Sequence, residues 1–155
     1  MEKILKNQKS IMISSLNKDK EASISYAPFA MKENKIYIYI SKTAQHYYNL
    51  LNHNKCSVMA IEDEKDSKSI FARERVSFNC EAKKLETVDE SIFTLFDEVQ
   101  GAQMMMVLKT MDFDMFELSL INGRLVKGFG KAFDIEIYDG EFKINQVTGI
   151  GHPSK

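Results

Sequence analysis

The sequence contains few of the residues that mark secreted, fibrous or metal-binding proteins. Its 155 residues include two cysteines, Cys56 and Cys80, which form no CxxC motif and lack metal-site spacing. Free thiols in a reducing compartment are the simplest interpretation, although a disulfide between them stays possible. Seven glycines and two prolines are too few for a collagen-like or disordered chain. These absences predict a folded protein that does not need a disulfide.

Long apolar runs and an excess of one charge are also missing. No segment approaches the roughly 20 apolar residues of a membrane-spanning helix, and the N-terminal MEKILKNQKSIMISSL lacks the features of a signal peptide. We therefore expect a cytoplasmic protein with no membrane span. The net charge of -1 supplies no general attraction for phosphates, so a nucleic-acid partner is not expected. The GxSxG, P-loop, GxGxxG and HExxH motifs are absent, which leaves hydrolase, NTPase, Rossmann and zinc-protease functions without local support.

Short segments separated by polar turns predict a mainly β protein. The expected strands include residues 10–16, 21–29, 35–41, 56–61 and 75–85. The stretch IYIYI is apolar on both faces, so we expect the barrel interior on one side and a helix or partner subunit on the other. Asn122-Gly123 and Asp139-Gly140 are typical of hairpin turns. Without a repeating βαβ pattern, the chain favours a single antiparallel barrel domain over residues 1–155.

Helical spacing appears in separate parts of the chain. In TAQHYYNLLN apolar residues recur every three or four positions, and Thr43 is placed to cap the start. Thr87 and Glu90 have the spacing of a capping box, and an apolar stripe follows them. That stripe consists of Ile92, Leu95, Phe96 and Val99. After Gly101, AQMMMVLKT is expected to form another helix whose methionines fill the core.

A series of segments resembles, in order, the HugZ/HutZ-type haem-utilisation proteins. The segments are SYAPFA (25–30), SKTAQHYYNLLNHNKCSVMAIEDE (41–64), FARERVSFNCEA (71–82), MDFDMFEL (111–118), KGFGKAF (127–133) and the closing GxGH. Members of this family are bacterial haem-degrading enzymes on the split β-barrel of the flavin-binding pyridoxamine-phosphate-oxidase superfamily. The resemblance implies an α+β fold, a split antiparallel barrel with short flanking helices.

The same resemblance implies a haem site at the C-terminal loop, residues 146–155, which would cover the cofactor as a lid. His152 in GIGHPSK corresponds to the family's proximal iron ligand. Gly149 and Gly151 would let the backbone pass close to the flat macrocycle. A ligating imidazole generally donates its other N–H to an acceptor. In this family the acceptor is an aspartate that can come from the neighbouring subunit; it corresponds to Asp112 in MDFDMFEL, with Asp114 as the alternative.

Other basic residues correspond to the opposite side of the family's haem. Arg75 matches the distal arginine, a fixed cationic hydrogen-bond donor. Arg73 is expected on the same face of the strand, because side chains repeat every second residue. The alternative for these arginines is pairing with the carboxylates of IEDE at the protein surface. His46 matches a family histidine that lines the pocket or bonds a propionate, although a capping or packing role is equally compatible.

Taken together, the resemblance implies a homodimeric haem oxygenase that supports iron acquisition. Haem would be bound cofactor and substrate, a reductase partner would supply electrons, and ring opening would release iron. A haem carrier without turnover would need the same iron ligand. An FMN-binding oxidoreductase is the commoner occupation of this barrel, and Ser41-Lys42 could hold the flavin phosphate. Flavin binding would give His152 no role.

Overall fold

The computed structural model describes residues 1–147 of the chain. The helices are α1 (Glu2–Asn7), α2 (Gln45–Asn52), α3 (Glu90–Gln100) and α4 (Ala102–Leu108). The strands are β1 (Ser10–Leu16), β2 (Ala22–Lys32), β3 (Lys35–Ser41), β4 (Lys55–Ile61), β5 (Arg75–Lys84), β6 (Phe113–Val126), β7 (Ala132–Tyr138) and β8 (Glu141–Gln146). Two single-turn 3₁₀ helices, Glu64–Asp66 and Ile70–Ala72, lie between β4 and β5. Within residues 1–147, no helix combines the length and apolarity needed to cross a membrane.

Six of these strands close into a barrel. The strand order is β3-β2-β1-β4-β5-β6, and β3 also pairs with β6, from Lys35 opposite Ser119 to Ser41 opposite Phe113. Strands β7 and β8 continue the sheet from β6 beyond the point of closure. Neighbouring strands are antiparallel throughout. The structure therefore confirms the predicted split antiparallel β-barrel with flanking helices.

The IYIYI strand shows how the core is built on both of its faces. Its isoleucines point into the barrel, where Ile36 and Ile38 have no exposed surface. Tyr37 and Tyr39 point outward into a second core, which they form with Phe96 of α3 and its neighbours in α4. The two-sided covering was predicted correctly. Helices of the same chain cover the outer side, so this strand is not evidence for a partner subunit.

The Asn122-Gly123 pair lies inside β6, so the predicted hairpin turn is wrong. β6 continues past it to Val126 in register with β5, and the pairing skips Ile121 as a β-bulge. A β-carbon on Gly123 would lie 2.4 Å from the carbonyl oxygen of Ser77. Glycine is required here because the backbone of β5 approaches too closely for a side chain.

Both predicted helix N-caps are wrong. Thr43 belongs to a turn in which its N–H donates to Oγ of Ser41 at 3.1 Å, and α2 begins without a side-chain cap. Asp89 caps α3 by accepting a 2.8 Å hydrogen bond from the N–H of Ser91, so the box over residues 87–90 does not form. An aspartate directly before the first helical residue is a strong cap, and it starts the helix later than the threonine would.

Predictions for α4 and for the last hairpin had mixed outcomes. AQMMMVLKT forms α4 as expected, but Met104 is 55% exposed and Met106 is 68% exposed, whereas Met105 is buried. Consecutive helical positions point in different directions, so a single methionine reaches the core. Asp139 and Gly140 do form the turn between β7 and β8, with φ values of 49° and 81°. Two successive positive φ angles are typical of a type I′ turn.

Candidate functional site

The outer face of the barrel carries a groove across β1, β4, β5 and β6. Its volume is about 560 Å³, and its lining includes Met12, Ile24, Met59, Ser77, Asn79 and Arg124. Side chains of β5 alternate, so Val76 and Phe78 enter the core while Arg75 and Ser77 face outward with the groove. The groove therefore combines apolar side chains, such as Met12, Ile24 and Met59, with polar side chains, such as Ser77 and Arg124.

Arg75 lies on this outer face, two residues along β5 from Ser77 of the groove lining. Its Nη1 donates a 2.8 Å hydrogen bond to the carbonyl oxygen of Arg73, which orients the guanidinium. Ile61 of β4 and Val126 of β6 are its direct neighbours across the sheet. Guanidinium groups remain charged at all physiological pH values. Arg75 is thus a permanent, oriented cation next to apolar side chains.

Arg73 does not share that face, which corrects the prediction made for it. The strand begins at Arg75, and Arg73 follows the 3₁₀ turn Ile70–Ala72. Its Nε donates to the carbonyl oxygen of Glu62 at 2.6 Å, and its Nη1 lies 4.0 Å from Oε2 of Glu64. The surface pairing with the IEDE segment, considered for both arginines, is therefore found at Arg73.

The two candidate aspartates occupy different environments at the start of β6. Asp112 is exposed, and its Oδ1 accepts a 2.9 Å hydrogen bond from Oγ of Ser41. Asp114 accepts a short hydrogen bond from the hydroxyl of Tyr47 and lies 3.8 Å from Nζ of Lys42. Burial and the Asp114 carboxylate raise the pKa of Tyr47 well above its usual value, so this phenol remains a donor. Asp114 is engaged inside the chain, whereas Asp112 is accessible.

Arg75 and Asp112 lie at opposite ends of the same strand pair. Arg75 is paired with Val126, the last residue of β6, while Asp112 precedes Phe113, its first residue. The 14 residues of β6 follow a path of roughly 40 Å at the usual rise of a strand. One subunit therefore cannot bring both side chains to one ligand, and a site that uses both requires Asp112 from a second copy.

His46 lies in the first turn of α2, at the same end of the barrel as Asp112. Its Nε2 is buried and has no hydrogen-bond partner among residues 1–147. Burial lowers the pKa of His46, so the imidazole is neutral at pH 7. His46, like Asp112, therefore lies at the end of the barrel opposite Arg75 of the same subunit.

His152, Gly149 and Gly151 lie outside the described residues. The last described residue, Val147, donates its N–H to the carbonyl oxygen of Ala132 at 2.8 Å. Ala132 is paired with Val126, which is paired with Arg75. The described chain therefore ends beside the end of the sheet that carries Arg75.

Sequence reasoning missed the apolar outer face of β2. Ile24 is 79% exposed and Tyr26 is 70% exposed, while Ser23 and Ser25 alternate with them toward the interior. Met12 of β1 lies directly opposite Tyr26. Strands usually place apolar residues inward and polar residues outward. The reversed order in ASISY was the available signal.

Comparison with known proteins places the chain in a family. The family described as pyridoxamine 5′-phosphate oxidase matches residues 1–119. This chain belongs to the pyridoxamine 5′-phosphate oxidase family. A family relative from Vibrio cholerae, named heme oxygenase HutZ, is 30% identical over 131 residues, which is 83% of this chain and 74% of HutZ.

Solved structures agree with that assignment. ChuZ from Campylobacter jejuni has a TM-score of 0.86 and 32% identity, covering 99% of this chain. The match extends over 63% of the ChuZ chain, so the protein described here corresponds to less than two thirds of ChuZ. HutZ from Vibrio cholerae, described there as a heme storage protein, has a TM-score of 0.71 and 28% identity over 77% of this chain and 86% of its own. The resemblance to HutZ-type haem-utilisation proteins is thereby confirmed.

Proposed function

We propose that this protein binds haem on the outer face of its barrel and opens the porphyrin ring, which releases iron. The observation that carries the proposal is the position of Arg75, an oriented cation on the same face of β5 as Ser77, which lines a groove of about 560 Å³. A groove of this size that combines apolar and polar side chains suits a flat ligand with an apolar body and charged edges. The relative named heme oxygenase HutZ supports the same ligand and reaction.

His152 is the proposed iron ligand, and the connectivity of the sheet is compatible with this role. Val147 is separated from Arg75 by three strand spacings of about 4.8 Å each, because Ala132 and Val126 lie between them. Five residues of chain can reach at most about 17 Å. His152 can therefore reach a ligand beside Arg75 of the same subunit. Gly149 and Gly151 would lie near the macrocycle without side chains that collide with it.

The remaining residues would position the ligand and the developing charge. Haem supplies the iron that activates dioxygen and the ring that is oxidised. Arg75 donates hydrogen bonds toward negative charge that develops on the groove side. Asp112 of a second copy accepts the second N–H of the His152 imidazole, since Asp114 is engaged by Tyr47.

Two candidate residues have weaker positions in this site. The side chain of Arg73 is hydrogen-bonded to Glu62, so it stabilises the segment before β5. Arg75, and not Arg73, is therefore the arginine proposed to contact haem. His46 lies at the Asp112 end of the barrel, so it reaches a propionate only from a second copy. An electron-donating reductase completes the proposed reaction, because ring oxidation consumes electrons that the chain does not supply.

A homodimer is part of this proposal, because one subunit cannot supply both Arg75 and Asp112 to one haem. The exposed apolar side chains of Ile24 and Tyr26 lie on the outer face with the groove. Exposed apolar patches of this kind mark surfaces that associate. A second copy seated there would bury these side chains and complete the site.

Replacing Ile24 with glutamate is expected to yield a monomer that binds haem weakly. The buried charge would remain unpaired in the proposed dimer contact, which costs several kcal/mol. Light scattering would report the mass and a hemin titration would report the affinity. Ile144→Glu is the matched control, since Ile144 is 42% exposed on the edge strand β8 and should leave both measurements unchanged. A dimer that persists with Ile24→Glu would contradict this contact.

Replacing His152 with alanine is expected to weaken hemin binding at least about tenfold and to move the Soret maximum, because loss of an iron ligand affects both. A hemin titration of the native protein and the variant would measure the change. His53→Ala is the control for a histidine without an assigned role. Equal affinities and identical Soret maxima would remove the basis of the iron assignment.

Haem storage without turnover is the second candidate, since the Vibrio cholerae relative has also been described as a heme storage protein. Anaerobic loading followed by oxygen and a reductant separates the two. Rapid loss of the Soret band supports the oxygenase, and a persistent band supports storage. An FMN phosphate at Ser41-Lys42 is less favourable, because the Asp112 carboxylate is 2.9 Å from Oγ of Ser41 and Asp114 is 3.8 Å from Nζ of Lys42.

A further inference from the structure

The two cysteines face each other inside the barrel. Cys56 of β4 lies directly opposite Cys80 of β5 in the strand register, and both thiols are free. Their side chains point inward, with 9% and 1% of their surfaces exposed. The pair lies near the start of β4, while Arg75 is paired with Ile61 at the other end of that strand. The thiols are therefore separate from the proposed haem site.

The two thiols differ in their surroundings. The neighbouring Cys80 thiol lowers the pKa of Cys56, whereas the Cys56 thiol and burial raise the pKa of Cys80, whose Sγ donates a 3.7 Å hydrogen bond to the carbonyl oxygen of Phe78. Both residues line a surface groove of about 330 Å³ together with Ser14, Lys55 and Ile121. Cys56 is the more exposed of the two residues, so a small oxidant that enters from this groove would reach Cys56 before Cys80. Cys56 is thus the natural attacking group and Cys80 the resolving group.

The backbone geometry suits a covalent bond between them. Residues directly opposite in antiparallel strands have Cα atoms about 4.5 to 5.5 Å apart. A disulfide requires a Cα separation of about 4.4 to 6.8 Å. The existing register of β4 and β5 therefore allows the bond to close without a movement of either strand.

We propose that Cys56 and Cys80 form a redox modification site that closes reversibly to a cross-strand disulfide with peroxide as the oxidant. The Cys56 thiolate attacks one peroxide oxygen, the O–O bond breaks, and a sulfenic acid forms, while the departing hydroxide takes up the proton that the Cys56 thiol released and becomes water. The Cys80 sulfur then attacks the sulfenic sulfur, the S–O bond breaks, and the hydroxide leaves as water with the remaining thiol proton. In total, two thiols and one peroxide become one disulfide and two waters, and a dithiol reductant reverses the reaction.

The bond would have a structural consequence that can be measured. It would close a loop over residues 56–80, which contains the acidic IEDE segment, the two 3₁₀ turns, Arg73 and Arg75. Closing a loop reduces the conformational freedom of the unfolded chain and so stabilises the folded state. The oxidised protein should therefore unfold at a higher temperature than the reduced protein, and dithiothreitol should abolish the difference.

Differential alkylation of the native protein tests the proposal. Free thiols are blocked with iodoacetamide after peroxide treatment, and thiols recovered with dithiothreitol are labelled with N-ethylmaleimide. Peptide masses then report each cysteine separately, which avoids confusion with oxidation of the nine methionines. We expect Cys56 and Cys80 to become protected to the same extent and to be recovered together. A disulfide-linked peptide pair should appear in the sample that was not reduced.

Single variants provide the controls. In Cys56→Ala and in Cys80→Ala, the remaining thiol should show no intramolecular protection that dithiothreitol reverses. The proposal would be overturned if both thiols still react with iodoacetamide when the exposed Met104 is already oxidised. It would also be overturned if one cysteine is oxidised irreversibly while the other stays free, or if a non-reducing gel shows that the disulfide joins two chains. Peptide masses of the native protein distinguish these outcomes, so the test does not depend on whether a cysteine variant folds.

Discussion

Replacement of Gly123 with alanine should lower the free energy of unfolding by about 3 kcal/mol. The new β-carbon would lie 2.4 Å from the carbonyl oxygen of Ser77 and 2.7 Å from Cδ1 of Phe78. Ser77 contributes a backbone atom of the neighbouring strand, and Phe78 is 1% exposed in the core, so neither yields easily. Relief requires β5 and β6 to separate where they pair. Urea unfolding followed by circular dichroism would measure the loss.

Ser119→Ala on the same strand is the matched control for this variant. Its side chain is exposed, so the change should alter the free energy of unfolding by less than about 0.5 kcal/mol. Because folded domains are stable by only about 5 to 15 kcal/mol, the loss at Gly123 should be visible as a clear shift of the urea midpoint. Similar small losses in both variants would mean that the bulge in β6 absorbs the added methyl group.

Replacement of Arg75 with leucine should lower the rate of haem turnover about a hundredfold and leave hemin affinity within a few-fold of the native value. Loss of one preorganised donor to developing negative charge typically has this size of effect. Leucine retains the apolar packing beside Ile61 and Val126, so the groove should persist. Loss of Soret absorbance after addition of oxygen and a chemical reductant would report turnover, and hemin titration would report affinity.

Lys83→Leu removes a cation from the same strand and the same face, at the end far from Arg75. It should leave turnover unchanged, which separates a local effect of Arg75 from the total charge of the sheet. Undiminished turnover in Arg75→Leu would exclude Arg75 from the reaction. Equal losses of affinity and turnover would indicate that Arg75 binds haem and has no separate effect on the reaction.

The site was only partly predictable from the sequence, and Arg75 and Arg73 show why. Both arginines lie in the short segment FARER, and a strand through both would place them on one face. In the structure the strand begins at Arg75, and Arg73 lies before it with its Nε hydrogen-bonded to the carbonyl oxygen of Glu62. That contact joins residues 11 positions apart, and local periodicity does not encode it.

The aspartates show a similar limit. Asp112 and Asp114 have the same side chain, the same neighbours in MDFDMFEL and no local feature that separates their roles. The structure distinguishes them through Tyr47, which is 67 positions from Asp114 and donates to it from α2. The distance between Asp112 and Arg75 likewise follows from the antiparallel register of β5 and β6.

The strands, the helix following Gly101 and the Asp139-Gly140 turn could be read from the chain alone. Each of these features depends on residues that are neighbours in sequence. The alternation of apolar and polar residues, or the presence of turn-forming residues, is enough to predict their conformation. The covering of Tyr37 and Tyr39 by helices, the place of Gly123 inside β6 and the separation of Arg75 from Asp112 needed the folded barrel. Those features arise from register and closure, which bring together residues far apart along the chain.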